Sequence, residues 1–486
     1  MKIANRTLEL LKSKGIAVPT YDRLSLRPSY VHIGLGHFHR SHFLTYMDKL
    51  LNDGFEKNGV FEVDIIPSNP TIVEGLKQQD YLYSVLSLDN DGSKMLRING
   101  PIVGYANQTE NPEMVHEMLS SPNTSLITLT ITEKGYAYLD EKEHLDWNNP
   151  SIARDITTNY PPISAIGCLA NALRTRFGRK SPVTIMSCDN VPENGVILKR
   201  CIVQFCEKKY PEITDWVSSE IAFPCTMVDR ITPGTSEQDI MELRANYDLE
   251  DCCPVHCEDY IQWVIEDNIC TEIPDFAKAG ALVVDDVKPY ELMKIRLLNG
   301  SHSALAYPAY MMGIRMVHEA ALDPVLGPFI RDVYMKQMAA TLTSVPGVDL
   351  DVYMDKLISR FSNRYIADTI LRLAEDGSKK ISNFILRPLE EGLDAQNNVD
   401  SAILVLAIWQ YFFLFKDQNN NSMPINDPKK ESLLAVSSDV RAFLRTAGLA
   451  ESAFRHDSLF QKMDRFLTLL KTYGVRETLT MFSNEV

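Results

Sequence analysis

The sequence predicts an α/β domain with a mostly parallel sheet, followed by a mostly helical domain. In the first half of the chain, short apolar runs of strand length alternate with helix-like segments, which is typical of a parallel sheet with helices on its faces. After about residue 280 strand-like runs nearly vanish, and segments with a 3.6-residue period dominate. We therefore expect the first domain over residues 1–280 and the helical domain over residues 281–486.

Four apolar runs carry the strand prediction. They are residues 30–33, 60–66, 125–131 and 182–187. Helix-like runs lie between them at residues 72–79 and 164–177, and Ser164 is placed to cap the second of these. In the second half, helices are predicted over residues 326–342, 350–361 and 460–472. The polar segment KDQNNNSMPINDPKKES is expected to be a surface loop within the helical part.

Composition narrows the classes of function. A chain of 486 residues with 45% hydrophobic and 23% charged residues is ordinary for a globular protein. The net charge of −15 argues against a nucleic-acid or anionic-membrane partner. The longest apolar run, residues 402–415, contains Gln410 and is too short to span a membrane, so it predicts a buried helix. Lysines punctuate the N-terminal segment, which lacks a signal-peptide core, so we expect a cytoplasmic protein. A monomer is the working expectation, although the sequence leaves the oligomeric state open.

The cysteines favour scattered core thiols over disulfides or zinc. Nine cysteines are an odd number, and the chain is expected to be intracellular. Cys252, Cys253, His256 and Cys257 form one cluster, but Pro254 splits it, and no second Cys/His pair follows at a zinc-finger spacing. We expect no metal site.

A glycine turn follows the first predicted strand, in VHIGLGHFHRSHF. Gly34 and Gly36 match the first two glycines of a dinucleotide fingerprint, where a tight turn lets pyrophosphate approach a helix N-terminus. His39 occupies the third glycine position, so the helix is expected to pack less closely on the strand. Arg40 is a candidate to bind phosphate. The alternative is a tight βα turn with surface histidines.

A second polar cluster lies in the apolar segment ELMKIRLLNGSH. On an α-helix at about 100° per residue, Glu291, Lys294, Asn299 and His302 share one broad face, with Asn299 about 140° from Lys294. Much of the remaining circumference is apolar, as in a buried helix. The polar face is therefore either a solvated stripe or the floor of a pocket.

Four further polar segments lie where apolar strands end or where the chain turns out of a strand. They are TEKGY at 132–136, SCDNVPENG at 187–195, TMVDRITP at 226–233 and QWVIEDN at 262–268. Open α/β sheets bind ligands at such strand ends. Together with GLGHFHRSH and KIRLLNGSH, these segments make the chain resemble the polyol-specific long-chain dehydrogenases and reductases. That family includes mannitol 2-dehydrogenases and fructuronate reductases, and the resemblance covers about residues 30 to 390.

The resemblance implies a Rossmann-like first domain and a set of site residues. The implied catalytic residues are Lys294, Asn190, Asn299, His302 and Glu291. The implied substrate contacts are Asp229, Arg372 and Lys380. The implied cofactor contacts are Gly34, Gly36, Phe38, His39, Arg40, Asn69, Glu133 and Val228.

In this family a lysine acts as general base, two asparagines hold the substrate oxygen, and a histidine orients the substrate; here Glu291 would link the lysine to solvent. The chemistry fits these groups, because an alcohol that loses a hydride must also lose a proton, and without zinc a positioned base must take it. Amide donors then stabilise the developing oxyanion. A lysine is charged at neutral pH unless its surroundings lower its pKa, so the role requires a buried Lys294.

One position departs from the family. Where a mannitol 2-dehydrogenase has an aspartate for the adenosine ribose hydroxyls, this chain has Asn69. A neutral residue removes the repulsion that excludes a 2′-phosphate, yet no nearby cation appears in the sequence to bind one. NAD is therefore expected, with NADP left open. Asp64 is either a substitute acid or a residue that ends the second strand.

The expected function is zinc-independent hydride transfer between NAD(H) and a polyol/ketose pair, with D-mannitol and D-fructose as the first choice. Fructuronate reduction, or oxidation of another polyol such as arabinitol, is the alternative, because Arg372 and Lys380 can bind hydroxyls or a carboxylate. A catalytically idle nucleotide-binding redox sensor is a more distant alternative. The expected partner is a small polyol or sugar acid.

Overall fold

The computed structural model describes residues 1–66, 69–139, 144–415, 424 and 426–485. The chain forms two compact units, Met1–Lys288 and Pro289–Val486, whereas the sequence suggested a boundary at residue 280. The first unit contains β1 (Arg27–Ile33), β2 (Asn58–Asp64), β3 (Tyr83–Leu88), β4 (Lys94–Asn99), β5 (Ile102–Asn107), β6 (Leu126–Leu129), β7 (Tyr138–Leu139), β8 (His144–Leu145), β9 (Thr184–Ser187), β10 (Thr226–Asp229), β11 (Val255–Glu258), β12 (Gln262–Glu266) and β13 (Leu282–Val284).

A five-stranded parallel sheet forms the centre of the first unit, with strand order β5-β2-β1-β6-β9. It contains all four strands predicted from the sequence. The carboxyl ends of four neighbouring strands are in register, because Ile33 pairs with Val63 and with Leu129, and Leu129 pairs with Ser187. The residues that follow these strands therefore lie along one edge of the sheet, which we call the carboxyl edge. Ligands of open α/β sheets bind at this edge.

Apolar side chains cover both faces of the sheet. Along β1, Val31 and Ile33 belong to one buried cluster, while Tyr30 belongs to a second cluster on the other face. In β9, Ile185 and Met186 divide in the same way. Strands buried on both faces read as continuous apolar runs, which explains why these strands were recognisable in the sequence.

Two smaller sheets complete the unit and were not predicted. One has the order β11-β3-β4 and the other β10-β12-β13, and each mixes parallel and antiparallel pairs. A short antiparallel pair joins β7 and β8. The α-helices of the unit are Leu8–Ser13, His37–Ser41, Phe43–Asn52, Pro70–Gln78, Pro112–Ser120, Thr132–Tyr136, Pro150–Thr157, Ala165–Arg179, Asn194–Lys209, Thr214–Glu220, Glu237–Tyr247 and Phe276–Ala279. The predicted cap holds, since Ser164 Oγ accepts the Gly167 N–H at 2.9 Å.

The second unit is built from helices, as predicted. Its α-helices are Lys288–Met293, Gly300–Met311, Val317–Leu322, Leu326–Pro328, Met335–Ala339, Leu350–Phe361, Ile370–Ala374, Gly377–Ile381, Arg387–Asp394, Asp400–Leu414, Lys430–Val436, Val440–Ala447 and Asp457–Glu485, the first of which begins on the last residue of the first unit. Within the described part of this unit, three π-helical segments interrupt this pattern, at Lys294–Asn299, Phe329–Tyr334 and Ser382–Leu386. The predicted helix over residues 326–342 is therefore three consecutive pieces.

The apolar run near the end of the chain forms the buried helix that was expected. Asp400–Leu414 is buried along nearly its whole length and packs against Asp457–Glu485 and Gly300–Met311. Among the described residues, no helix is both long and apolar enough to cross a membrane. Much of the predicted loop after this helix, residues 416–423 and 425, lies outside the described residues.

Candidate active site

The glycine turn lies at the carboxyl edge, directly after the central strand β1. Gly34 has φ +109°, and a Cβ there would stand 2.2 Å from the carbonyl oxygen of Thr130, so only glycine fits. Gly36 is exposed, and a Cβ added there would have no atom within 4 Å. Asp64, at the end of β2, accepts the Leu35 N–H at 3.0 Å and the Tyr105 hydroxyl at 2.9 Å. Asp64 therefore ends its strand and holds the turn, and the open surface above Gly36 fits a close approach by pyrophosphate.

His39 replaces the third glycine by packing inside the domain. Its ring stacks on His32 of β1 with the ring centres 3.3 Å apart, and its Nε2 lies 2.9 Å from Glu62 Oε1. Both partners of this pair are fully buried. Burial lowers the pKa of His39 well below its usual value and raises the pKa of Glu62. Burial therefore disfavours the charged form of both groups, and His39 joins the helix to the strand.

Arg40 does not lie where a phosphate could meet its side chain. The guanidinium is fully buried, donates to the Cys253 carbonyl, and lies 5.5 Å from the centre of the Tyr83 ring. This position speaks against a phosphate contact, although Nε and Nη2 have no hydrogen-bond partner among the described residues, and phosphate binding by Arg40 stays a prediction. Phe38 is half-buried and stacks on His42 with the ring centres 4.9 Å apart.

The remaining predicted cofactor contacts differ in exposure. Asn69 is exposed and caps the Pro70–Gln78 helix, with Oδ1 accepting the Thr71 N–H at 3.0 Å. Glu133 is also exposed and lies in the helix that follows β6. The side chain of Val228 is instead buried in the core, so Val228 could contact a cofactor only through its backbone.

Two predicted site residues lie at strand ends near the carboxyl edge: Asn190 follows β9, and Asp229 is the last residue of β10. Asn190 is exposed and comes three residues after the end of β9, whereas Asp229 is buried at the end of β10. The two strands are tied together, since the Thr226 hydroxyl donates to the Ser187 carbonyl at 2.6 Å. Asp189, which the sequence did not single out, accepts backbone N–H groups from the loop after β6.

In the second unit, Lys294 begins a π-helical segment that ends at Asn299, so the expectation of a uniform α-helix is wrong here. The Gly300 N–H donates to the carbonyl of Ile295, five residues earlier, as π-helical pairing requires. At roughly 4.4 residues per turn, Asn299 lies about 50° from Lys294 instead of 140°. The wider turn therefore brings the lysine and the amide closer to one face.

The groups of this segment are largely withdrawn from solvent. Lys294 is 6% exposed and Glu291 is 9% exposed, so the burial that the base role requires is present. The Asn299 Oδ1 is buried and has no hydrogen-bond partner among the described residues. The His302 ring lies 4.5 Å from the Phe361 ring. The segment therefore combines a buried amine with an amide oxygen that can still accept a hydrogen bond.

Arg372 and Lys380 lie on two short helices that pack against Gly300–Met311, the continuation of the Lys294 segment. Arg372 forms a bidentate ion pair with Asp368, and the hydrogen bonds of this pair raise the pKa of the guanidinium. Lys380 donates to the carbonyls of Leu373 at 3.0 Å and Arg372 at 3.3 Å. Burial, and then the charge of Arg372, lower the pKa of Lys380.

The cysteine cluster has separate surroundings for each member. His256 Nδ1 lies 3.0 Å from Asp239, Cys253 contacts Gln79, and Cys252 is exposed. Across residues 1–66, 69–139, 144–415, 424 and 426–485, no group of three or more His, Cys, Asp or Glu side chains is arranged to hold a metal ion.

Comparison with known proteins identifies both units. Residues 28–278 match the family model described as Mannitol dehydrogenase Rossmann domain, and residues 286–462 match the Mannitol dehydrogenase C-terminal domain. The chain belongs to the mannitol dehydrogenase family. This membership confirms the resemblance drawn from the six motifs, and it confirms the Rossmann-like domain followed by a helical domain.

Three relatives illustrate the range of the family. The mannitol 2-dehydrogenase of Phaeosphaeria nodorum is 33% identical over 99% of this chain and 86% of its own length. The D-mannonate oxidoreductase of Escherichia coli is 34% identical over 89% of this chain and 91% of its own length. The structure of Pseudomonas fluorescens mannitol 2-dehydrogenase in a ternary complex with NAD and D-mannitol is similar with a TM-score of 0.88, at 32% identity and covering 100% of both chains.

Proposed function

We propose that this protein is a zinc-independent, NAD-dependent dehydrogenase that interconverts D-mannitol and D-fructose. The observation that carries the proposal is the similarity, over the whole chain, to a mannitol 2-dehydrogenase whose structure holds NAD and D-mannitol. The enzyme class and cofactor expected from the sequence agree with those named for that relative.

The carboxyl edge of the first unit fits a dinucleotide. Gly34 and Gly36 have no side chains, the Leu35 side chain between them is buried, and Asp64 fixes the turn through the Leu35 N–H. NAD would supply the hydride acceptor for the oxidation. Asn69 is neutral and its Oδ1 caps a helix, so it brings no negative charge against a 2′-phosphate. NAD is our assignment, and a comparison of NAD with NADP tests it.

In the second unit we assign proton transfer to Lys294. A buried amine that is neutral can accept the proton of a substrate hydroxyl, and burial favours the neutral form. Asn299 lies about one π-turn further along, where its amide can hydrogen-bond to the same oxygen. The family resemblance gives Asn190 a second donor role, His302 an orienting role, and Glu291 the link between Lys294 and solvent. This assignment gives both proton transfer and binding of the substrate oxygen to protein side chains, so it requires no zinc ion.

The pairing of Arg372 favours a neutral polyol over a sugar acid. Asp368 already occupies the Nε–Nη2 edge of the guanidinium, which is one of the two edges that can bind a carboxylate through two hydrogen bonds. A bound carboxylate would also face the negative charge of Asp368. Lys380 donates to carbonyls and can be shared with a hydroxyl as well as with an acid. Arg372 and Lys380 are therefore assigned as hydrogen-bond donors to substrate hydroxyls, with Asp229 as a further contact.

Fructuronate reduction is the second candidate, because the D-mannonate oxidoreductase of Escherichia coli is as similar in sequence as the mannitol 2-dehydrogenases. The test is oxidation of D-mannitol, D-arabinitol, D-sorbitol and D-mannonate by the purified protein with NAD and with NADP. We expect D-mannitol with NAD to give the highest kcat/KM. Turnover of D-mannonate alone would replace the proposal with the second candidate, and absence of turnover with every substrate would favour a nucleotide-binding sensor.

A further inference from the structure

Thr132 adopts an unusual backbone conformation at the carboxyl edge. It follows β6 and has φ +60°, in the left-handed region that β-branched residues rarely occupy. Such conformations persist only where the surrounding structure enforces them, and they concentrate at functional sites. The Thr132 side chain is exposed, so packing around it cannot provide the restraint. The restraint must act through the backbone.

Asp189 supplies that restraint from the neighbouring strand. It is buried two residues after β9, and one carboxylate oxygen accepts the Thr132 N–H at 2.9 Å. The other oxygen accepts the Ile131 N–H at 3.0 Å and the Tyr136 hydroxyl at 2.8 Å. Asp189 is itself fixed, because Asn194 donates to its carbonyl at 3.1 Å. One carboxylate therefore joins the ends of two parallel strands.

The restrained loop, Ile131 and Thr132, is adjacent in sequence to Thr130, which contacts the glycine turn. Thr130 immediately precedes Ile131, and its hydroxyl donates to the Gly34 carbonyl at 3.0 Å. The Thr130 carbonyl oxygen is the atom that a Cβ on Gly34 would meet at 2.2 Å. The position of the turn thus depends on where the end of β6 lies. The exposed Glu133 follows on the other side of Thr132.

We propose that Asp189 is a positioning residue for dinucleotide binding. By holding Thr132 in the left-handed region, it keeps the end of β6 against Gly34 and presents the turn in the conformation that binds the cofactor. Asp189 acts through the backbone of Ile131 and Thr132 and needs no contact with the cofactor. This inference rests on the proposed binding of the cofactor at the carboxyl edge.

The experiment measures NADH dissociation constants by calorimetry for wild type, Asp189→Asn, Thr132→Gly, and the double variant. In Asp189→Asn, an amide NH2 group replaces one of the carboxylate oxygens that accept backbone N–H groups. Because an NH2 group cannot accept such a hydrogen bond, the restraint is weakened and Thr132 can relax to a negative φ. We expect the Kd for NADH to rise at least tenfold. Glycine adopts positive φ readily, so the double variant should bind within about threefold of wild type, as should Thr132→Gly alone.

A matched control separates positioning from general stability. Asp251 is also buried, and it likewise accepts two backbone N–H groups, from Ser84 and Cys253, and the Ser84 hydroxyl, but it serves the β11-β3-β4 sheet. Asp251→Asn should lower Tm while leaving the Kd for NADH within twofold of wild type. If Asp189→Asn does not fold, Tyr136→Phe removes one of its donors and should raise the Kd two- to fivefold.

Three results would overturn the inference: unchanged NADH binding in Asp189→Asn, or in Tyr136→Phe where that variant replaces it; an equal loss in Asp251→Asn; or no recovery in the double variant. A wild-type protein that fails to bind NADH would instead overturn the proposed function. The two failures are therefore distinguishable.

Discussion

Gly300→Ala should disturb the π-helical segment through one identifiable contact. A Cβ at Gly300 would stand 2.5 Å from the hydroxyl oxygen of Tyr334, about 1 Å closer than ordinary contact. The Tyr334 side chain is fully buried and cannot swing aside. Overpacking of this kind costs about 1–3 kcal/mol, and alanine in a helix regains about 1 kcal/mol over glycine. We expect a net loss of about 1 kcal/mol in the free energy of unfolding, measured by urea denaturation.

Tyr334→Phe provides the test of that contact. The Tyr334 hydroxyl has no hydrogen-bond partner among the described residues, so its removal alone should be nearly neutral. In the Tyr334→Phe background, Gly300→Ala should no longer destabilise, which gives a coupling energy of about 1–2 kcal/mol. The Gly300 N–H closes the π-turn, so turnover should fall about tenfold in Gly300→Ala (1.4 kcal/mol) and recover in the double variant. A stable and fully active Gly300→Ala, or a defect that Tyr334→Phe fails to relieve, would refute this reasoning.

Three further outcomes are expected. Lys294→Ala should cut turnover by on the order of a hundredfold or more with NADH affinity nearly unchanged, and added primary amines should restore part of the rate; near-normal turnover would remove Lys294 from the base role. Prolonged chelation should leave activity intact, whereas stoichiometric zinc in elemental analysis, with activity lost on its removal, would contradict zinc independence. Asp48 is buried, and burial raises its pKa from 3.8 to about 6. The folded state then holds this proton more tightly than the unfolded state does, so the contribution of Asp48 to stability is present below pH 4 and is lost as pH rises to 6, by about 3 kcal/mol. Urea unfolding at pH 4 and pH 7 should show this loss in wild type relative to Asp48→Asn, and equal pH dependence in the two proteins would contradict it.

The parallel sheet and the glycine turn were predictable because their signals are local. Strands buried on both faces are apolar runs, and Gly34 stands where only glycine fits. The mixed sheets were missed in part because some of their pairings join distant segments, such as β3 with β11, which no local period reveals, whereas β3 and β4 are neighbours in the sequence.

Side-chain roles were less predictable because they depend on tertiary surroundings. His39 and Arg40 look like surface cations in GLGHFHRSH, yet both are fully buried. The π-helical pairing at Lys294–Asn299 could not be recognised from the sequence, because the residue pattern was interpreted with the α-helical angle of 100° per residue. In the sequence, Asp189 is only the aspartate of the SCDN segment. Its proposed role depends on its hydrogen bond to the backbone of Thr132, whose φ is positive. The six motifs in order nevertheless identified the family, because their joint occurrence is far more specific than any single one.

The most direct test of the central claim is the ratio of kcat/KM for D-fructose to that for D-fructuronate with NADH. It should be measured in wild type and in Arg372→Ala and Lys380→Ala. We predict that wild type prefers D-fructose and that each variant weakens fructose binding only modestly, because Arg372 is already paired with Asp368. A wild-type preference for D-fructuronate of roughly tenfold or more, about 1.4 kcal/mol in transition-state binding, that collapses in either variant would contradict the assignment to mannitol and fructose.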